Sequence, residues 1–122
     1  MSTTELGNKF EKHALDYLLK HHAELIAKQY RSRYGEIDLI VHMNHTIIFV
    51  EVRARKNNNY GGAIYSITKS KQQKIILTAQ AFMQNIQELN LKLNLSALSY
   101  RFDAIIFDKG KIEWLQNCIE AD

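Results

Sequence analysis

Apolar residues recur along the start of the chain at helical spacing. Leu6, Phe10, Ala14, Tyr17 and Leu18 form one stripe between about Thr4 and His22, which predicts an amphipathic first helix. The period then changes. Leu25 to Arg33 reads as a weakly patterned strand, Gly35 offers a turn, and Ile37, Leu39 and Val41 share one side of a strand from Glu36 to His42. Thr46 to Arg55 is rich in β-branched and aromatic residues, and a polar turn around Met43 and Asn44 joins these last two runs into a hairpin. Asn57 to Gly62 reads as a loop. Thr68 or Ser70 then caps a long second helix, with Ile75, Ala79, Phe82, Met83 and Ile86 on its buried stripe and Lys71, Lys74 and Thr78 on another face. Leu89, Leu91, Leu93 and Leu95 alternate strictly where a helix or loop would otherwise continue, and the pattern leaves that stretch unassigned. Tyr100 to Phe107 is a strand, Lys109 and Gly110 a turn, and Ile112 to Leu115 a short returning strand. The order α, β, β, β, α, β, β predicts an α/β fold, a mixed sheet of about five strands with an N-terminal and a long middle helix packed on it.

Nothing in the composition divides this pattern. The 122 residues contain no proline, low-complexity tract or repeat, so residues 1–122 are expected to form one domain around one core. A hydrophobic fraction of 46% with 24% charged residues excludes a disordered chain. The lone Cys118 cannot build a disulfide framework or a zinc ribbon within one chain, and a reducing cytoplasm is the expected location. Met1 to Lys9 has no apolar signal core, and no stretch approaches the roughly 18 apolar residues of a membrane span.

A net charge of +3 is too small to identify a nucleic-acid binder, but its distribution is uneven. Arg53, Arg55, Lys56, Lys69, Lys71 and Lys74 face a single acid, Glu51, within 24 residues, a local field suited to phosphates and equally to a solvated helix face with a charged loop. Tyr60, Gly61 and Gly62 lie in the loop between, where glycine permits close backbone approach and tyrosine can stack on a base.

The words richest in chemistry are Gly35-Glu36-Ile37-Asp38 and Phe49-Val50-Glu51-Val52-Arg53, each placing carboxylates inside a strand that otherwise reads as core. Such carboxylates are costly unless paired or bound to a cation. A hairpin turning at Met43 and Asn44 would set Asp38 opposite Phe49 and Glu36 opposite Glu51. Asp38 and Glu51 would then be diagonal neighbours roughly 7 to 8 Å apart on one face. Arg53 would share that face, with Ile48, Val50, Val52 and Ala54 on the other. Glu11, at the edge of the first helix's stripe, would tip toward the same pocket. Three hard oxygen donors suit Mg²⁺ or Mn²⁺, which can activate water for hydrolysis at phosphorus. The alternative is an ion-pair network of Asp38 and Glu51 with Arg53 and Arg55. For Arg101 and Asp103 a structural hydrogen bond across the sheet is the better reading. The five histidines show no metal spacing.

Glu11, Gly35-Glu36-Ile37-Asp38, Phe49-Val50-Glu51-Val52-Arg53 with Arg55, Lys71 followed by Lys74-Ile75, and Arg101-Phe102-Asp103 together resemble the YraN-like family of uncharacterised bacterial proteins. The resemblance runs from Gly7 to about Asn117. That family is similar to a minimal PD-(D/E)xK, restriction endonuclease-like fold, with the layout of archaeal Holliday junction resolvases. The resemblance implies a metal-dependent DNA endonuclease acting on double-stranded or branched DNA in recombination or repair. Glu11, Asp38 and Glu51 take the Mg²⁺ or Mn²⁺ positions, and Arg53 completes the catalytic set in place of the motif's lysine. Arginine stays protonated where lysine can help deprotonate water, and Lys71 is a candidate to supply an ammonium from elsewhere. DNA contacts are expected from Arg53, Arg55, Lys56, Tyr60, Lys69, Lys71 and Lys74, and symmetric junction cleavage would call for a homodimer. A non-catalytic nucleic-acid-binding module, supported by Arg53, and a protein-interaction adaptor with structural carboxylates are the competing classes.

Overall fold

The computed structural model describes residues 3–54, 67–89 and 98–119. Helix α1 spans Thr3–Lys20, strands β1, β2 and β3 span Glu24–Ser32, Gly35–Met43 and Thr46–Ala54, and helix α2 spans Lys69–Gln84. A short 3₁₀ turn, Ile86–Leu89, follows, then β4, Ser99–Asp108, and β5, Lys111–Leu115. The strands form one sheet in the order β1-β2-β3-β4-β5, the mixed α/β architecture expected from the pattern. All neighbours are antiparallel except β3 and β4, which run parallel because α2 lies between them in the chain.

Alternation along β3 assigns one helix to each face of the sheet. Ile48, Val50 and Val52 pack with Ala14 and Leu18 of α1 and with Leu39, Val41 and Ile105. Ile47 and Phe49 point the other way, onto Ile75, Ala79 and Phe82 of α2 and onto Ile40 and Phe102. Phe49 stands edge-on to Phe82 and stacks on Phe102, so one ring ties α2 to both central strands.

Two sequence expectations are corrected. The hairpin turns at Asn44 and His45, whose φ values of 53° and 59° provide the positive backbone angles of a tight two-residue turn, and Met43 stays in the strand opposite Thr46. Ile40 therefore pairs with Phe49 and Leu39 with Val50, in place of Asp38 with Phe49. Moving the turn by one residue moves every partner by two, an even number, so Asp38, Glu51 and Arg53 keep their common face. Thr78, expected on an outer face, is fully buried. It donates to Lys74 O at 2.8 Å and shares a hydrogen bond with Ser32 Oγ at 3.0 Å, because α2 settles on the β1–β2 end of the sheet. Gly35 lies directly beneath this contact: a Cβ there would be in ordinary van der Waals contact with Lys74 Cβ at 3.4 Å and Thr78 Oγ1 at 3.7 Å. Leu89 closes the 3₁₀ turn, and Leu91, Leu93 and Leu95 lie outside the described residues. No helix among the described residues is long and apolar enough to cross a membrane.

Candidate active-site cleft

Where β2 and β3 run out of mutual pairing, the sheet opens toward the start of α2. The ladder ends at Leu39–Val50, and one step beyond it stand Asp38 and Glu51. The Asp38 carboxylate fills the gap by accepting a hydrogen bond from Val52 N at 2.8 Å. Glu51 is 3% exposed. Its Oε2 lies 3.1 Å from Arg53 Nη2, an ion pair without hydrogen-bond alignment, and its Oε1 has no hydrogen-bond partner among the described residues. Arg53 in turn donates from Nη1 to Val52 O at 3.3 Å.

Burial raises both carboxyls of this pair. The Glu51 carboxyl is pushed up to about 8, first by loss of water and then by the Asp38 charge, against the pull of Arg53 and Lys71. Asp38 is also raised by burial, and the Val52 hydrogen bond and the Arg53 and Lys71 charges work in the opposite direction.

The facing wall is the first turns of α2. Thr68 caps the helix, its Oγ1 accepting from Lys71 N at 3.1 Å, and buried Ile67 anchors the approach. No acid stands in the first turn, so the positive end of the helix is unopposed. The resulting cleft of about 400 Å³ is lined by Gly35, Glu36, Asp38, Glu51 and Arg53 from the strands and by Thr68, Ser70, Lys71, Lys74 and Ile75 from the helix. Three carboxyls and Arg53 thus face two lysines across the cleft.

The candidate residues thus divide. Asp38, Glu51, Arg53, Lys71 and Lys74 come together. Glu11 lines a neighbouring cleft of about 420 Å³ with Lys12, Lys28 and Gln29, and its Oε2 accepts from Gln29 Nε2 at 3.2 Å. It remains within electrostatic reach of Asp38, since burial and then the Asp38 charge raise its carboxyl, and its Oε1 is buried with no hydrogen-bond partner among the described residues. Among the described residues, no three Asp, Glu, His or Cys side chains converge closely enough to hold a metal ion unaided. Lys69 does not line the cleft, and Arg55, Lys56 and Tyr60 lie outside the described residues. Asp103 is fully buried and saturated: Arg101 Nε donates to both its oxygens at 3.0 and 3.2 Å, Trp114 Nε1 at 2.9 Å and Asn117 N at 2.8 Å.

Gln29 escaped the sequence reading. It holds a φ of 49° inside a strand, at the level of Asp38, and also donates to Asn8 Oδ1 at 3.2 Å. Nothing in its residue type signals this. The role of Ser70 as cleft lining was equally hidden, because only its capping potential shows locally.

A family model described as "Uncharacterised protein family UPF0102" matches residues 10–107. A UPF0102 protein of Vibrio parahaemolyticus is 38% identical over 97% of this chain and 94% of its own length. One from Methylobacillus flagellatus is 42% identical over 96% and 98%, and one from Psychromonas ingrahamii 41% identical over 90% and 85%.

Proposed function

The chain belongs to the uncharacterised protein family UPF0102, and for this member we propose that the cleft between β2, β3 and α2 hydrolyses phosphodiester bonds of DNA with the help of a divalent metal ion. The observation that carries the reading is the pairing of two raised carboxyls, one with an unpartnered oxygen, against a wall of lysines at a helix N-terminus. A phosphodiester bound with a divalent cation needs both walls at once. The cation relieves the repulsion between the carboxylates, and the phosphate meets Arg53, Lys71 and Lys74.

The donor set fits Mg²⁺ or Mn²⁺. Magnesium is commonly held by one or two carboxylates, with water and substrate phosphate filling the remaining positions, so Asp38 and Glu51 suffice without a third acid. Glu11 is the neighbouring carboxylate available to reinforce them. Bound there, the metal would supply charge stabilisation and an acidified water. Arg53 keeps Glu51 oriented, and the capped start of α2 holds its lysines opposite. The restriction endonuclease-like reading of the fold rests on the five-strand mixed sheet with a helix on each face, and the branched or structured DNA substrate on the similarity to resolvases. Incubation with branched and linear duplexes should give Mn²⁺-dependent cleavage that disappears in Asp38→Ala and Glu51→Ala. Metal-independent activity, or activity that survives both substitutions, would sink the reading.

The 3.1 Å contact between Arg53 and Glu51 favours a second reading, a non-catalytic nucleic-acid-binding module. It expects salt-sensitive DNA affinity with no cleavage in any divalent metal.

A further inference from the structure

We infer that Gln29 is a positioning residue, whose amide holds one oxygen of Glu11 so that the other is left to the hydrated divalent cation at Asp38 and Glu51. The inference rests on the metal-dependent reading above and adds to it a residue that does not line the cleft. It starts from a backbone angle. Gln29 has a φ of 49° inside β1, whereas His22, Asn44, His45, Lys109 and Asn117, the other non-glycine residues with positive φ among those described, all stand in turns. Pairing with β2 does not require it: Lys28 pairs with Leu39 and Tyr30 with Ile37 in one register, and the irregularity of this ladder lies earlier, between Leu25 and Ala27.

The left-handed residue reverses the alternation of the strand. Residues two apart in a strand share a face, yet Lys28 lines the cleft beside α1 while Tyr30 stands edge-on to Phe82 of α2. Glycine would adopt this backbone without strain, so a glutamine there is explained by its side chain. That side chain reaches α1, where Nε2 donates to Asn8 Oδ1 and to Glu11 Oε2, both at 3.2 Å. Asn8 and Glu11 are neighbours on one side of the helix, and the two hydrogens of the amide nitrogen are both committed to them. Glu11 is thereby held by one oxygen, while its Oε1 is buried with no hydrogen-bond partner among the described residues. Of the charges acting on Glu11, that of Asp38 is the largest. A carboxylate fixed beside a magnesium-type ion can accept from one of the waters such ions retain, and a group that orients that carboxylate tunes affinity at one remove.

The test reads metal affinity, not turnover, by calorimetric titration of the full chain with Mn²⁺, with thermal unfolding measured alongside. Gln29→Gly relaxes the backbone and removes the amide, so it should melt within about 5 °C of wild type and bind Mn²⁺ about tenfold more weakly. Gln29→Ala should weaken binding by the same factor and melt lower, since alanine keeps the strain. Glu11→Ala should weaken it at least as much, and the Glu11→Ala, Gln29→Gly double variant no further, because Gln29 acts through Glu11. Losses that multiply in the double variant, or a Gln29→Gly affinity within about twofold of wild type, overturn the positioning role and leave the metal site standing. A wild-type chain that takes up no Mn²⁺ removes the metal-dependent reading and this inference with it.

Discussion

Asp103 and Glu51 sit on adjacent parallel strands, one register step apart, and are buried almost equally, at 0% and 3% exposure. Their surroundings are opposite. Both oxygens of Asp103 are engaged by Arg101, Trp114 and Asn117, on the face of the sheet that α1 covers. Glu51 faces α2 with a misaligned arginine on Oε2, a backbone hydrogen bond from Asp38 acting on its charge, and no hydrogen-bond partner for Oε1 among the described residues. Burial by itself therefore says little about what a carboxylate is for; the number of donors around it says more. Asp103 fastens β5 and the turn after it to β4, whereas Glu51 has fewer donors around it among the described residues.

Removing the saturated carboxylate should have the largest effect. Asp103→Ala leaves the Trp114 and Asn117 donors unpaired and Arg101 without its anion, and should lower the unfolding free energy by about 3–5 kcal/mol in urea titrations. A loss below about 1 kcal/mol would show that the lock does little. The unsaturated carboxylate should respond to ligand instead. Mn²⁺ at about a hundred times its Kd should stabilise the wild-type chain by about 2.7 kcal/mol and leave Asp38→Ala unmoved, as read by calorimetric melting. A null shift in wild type argues against a metal site.

Acidity sharpens the contrast. Glu51 titrates near 4.5 when unfolded and about 8 when folded, so between those values the native state holds a proton that the unfolded state has released. Stability should fall as pH rises across that window, and Asp38 and Glu11, also raised, add in the same direction. Glu51→Gln should flatten the profile; an equally steep slope in that variant would place its cause elsewhere. Thr68→Ala, which loosens the wall facing Glu51 without touching a carboxylate, should cost about 1 kcal/mol and leave the slope intact. The smallest effect belongs to Glu36→Gln, whose pair with Arg31 is solvent-exposed, with a change under about 0.5 kcal/mol in the same titrations.

Much of this contrast was legible in the residues. Charges inside β-branched runs marked Asp38 and Glu51, the 3.6-residue period of α2 delivered Ile75, Ala79 and Phe82 to the core, and Thr68 announced the helix start. The hairpin register was misplaced because Asn44-His45 lacks the glycine that flags a tight turn, yet face assignment survived, since it depends only on parity. Glu11 resisted prediction for a different reason. Where a helical residue points depends on how the helix lies across the sheet, and that is settled by the packing of Ala14 and Leu18, not by local period. Thr78 shows the same limit, its hydroxyl satisfied from within the helix and from Ser32 and so free to be buried.

The parallel pairing of β3 with β4 carries a kinetic consequence. The acidic strands are joined by a two-residue turn and can find each other early, but the strand beside Glu51 arrives only after the chain has travelled out through α2 and back. Closing so long an excursion is slow compared with zipping a hairpin. During refolding the carboxylates should come together before their cationic wall is in place, so competence toward a polyanion would be among the last properties the molecule acquires.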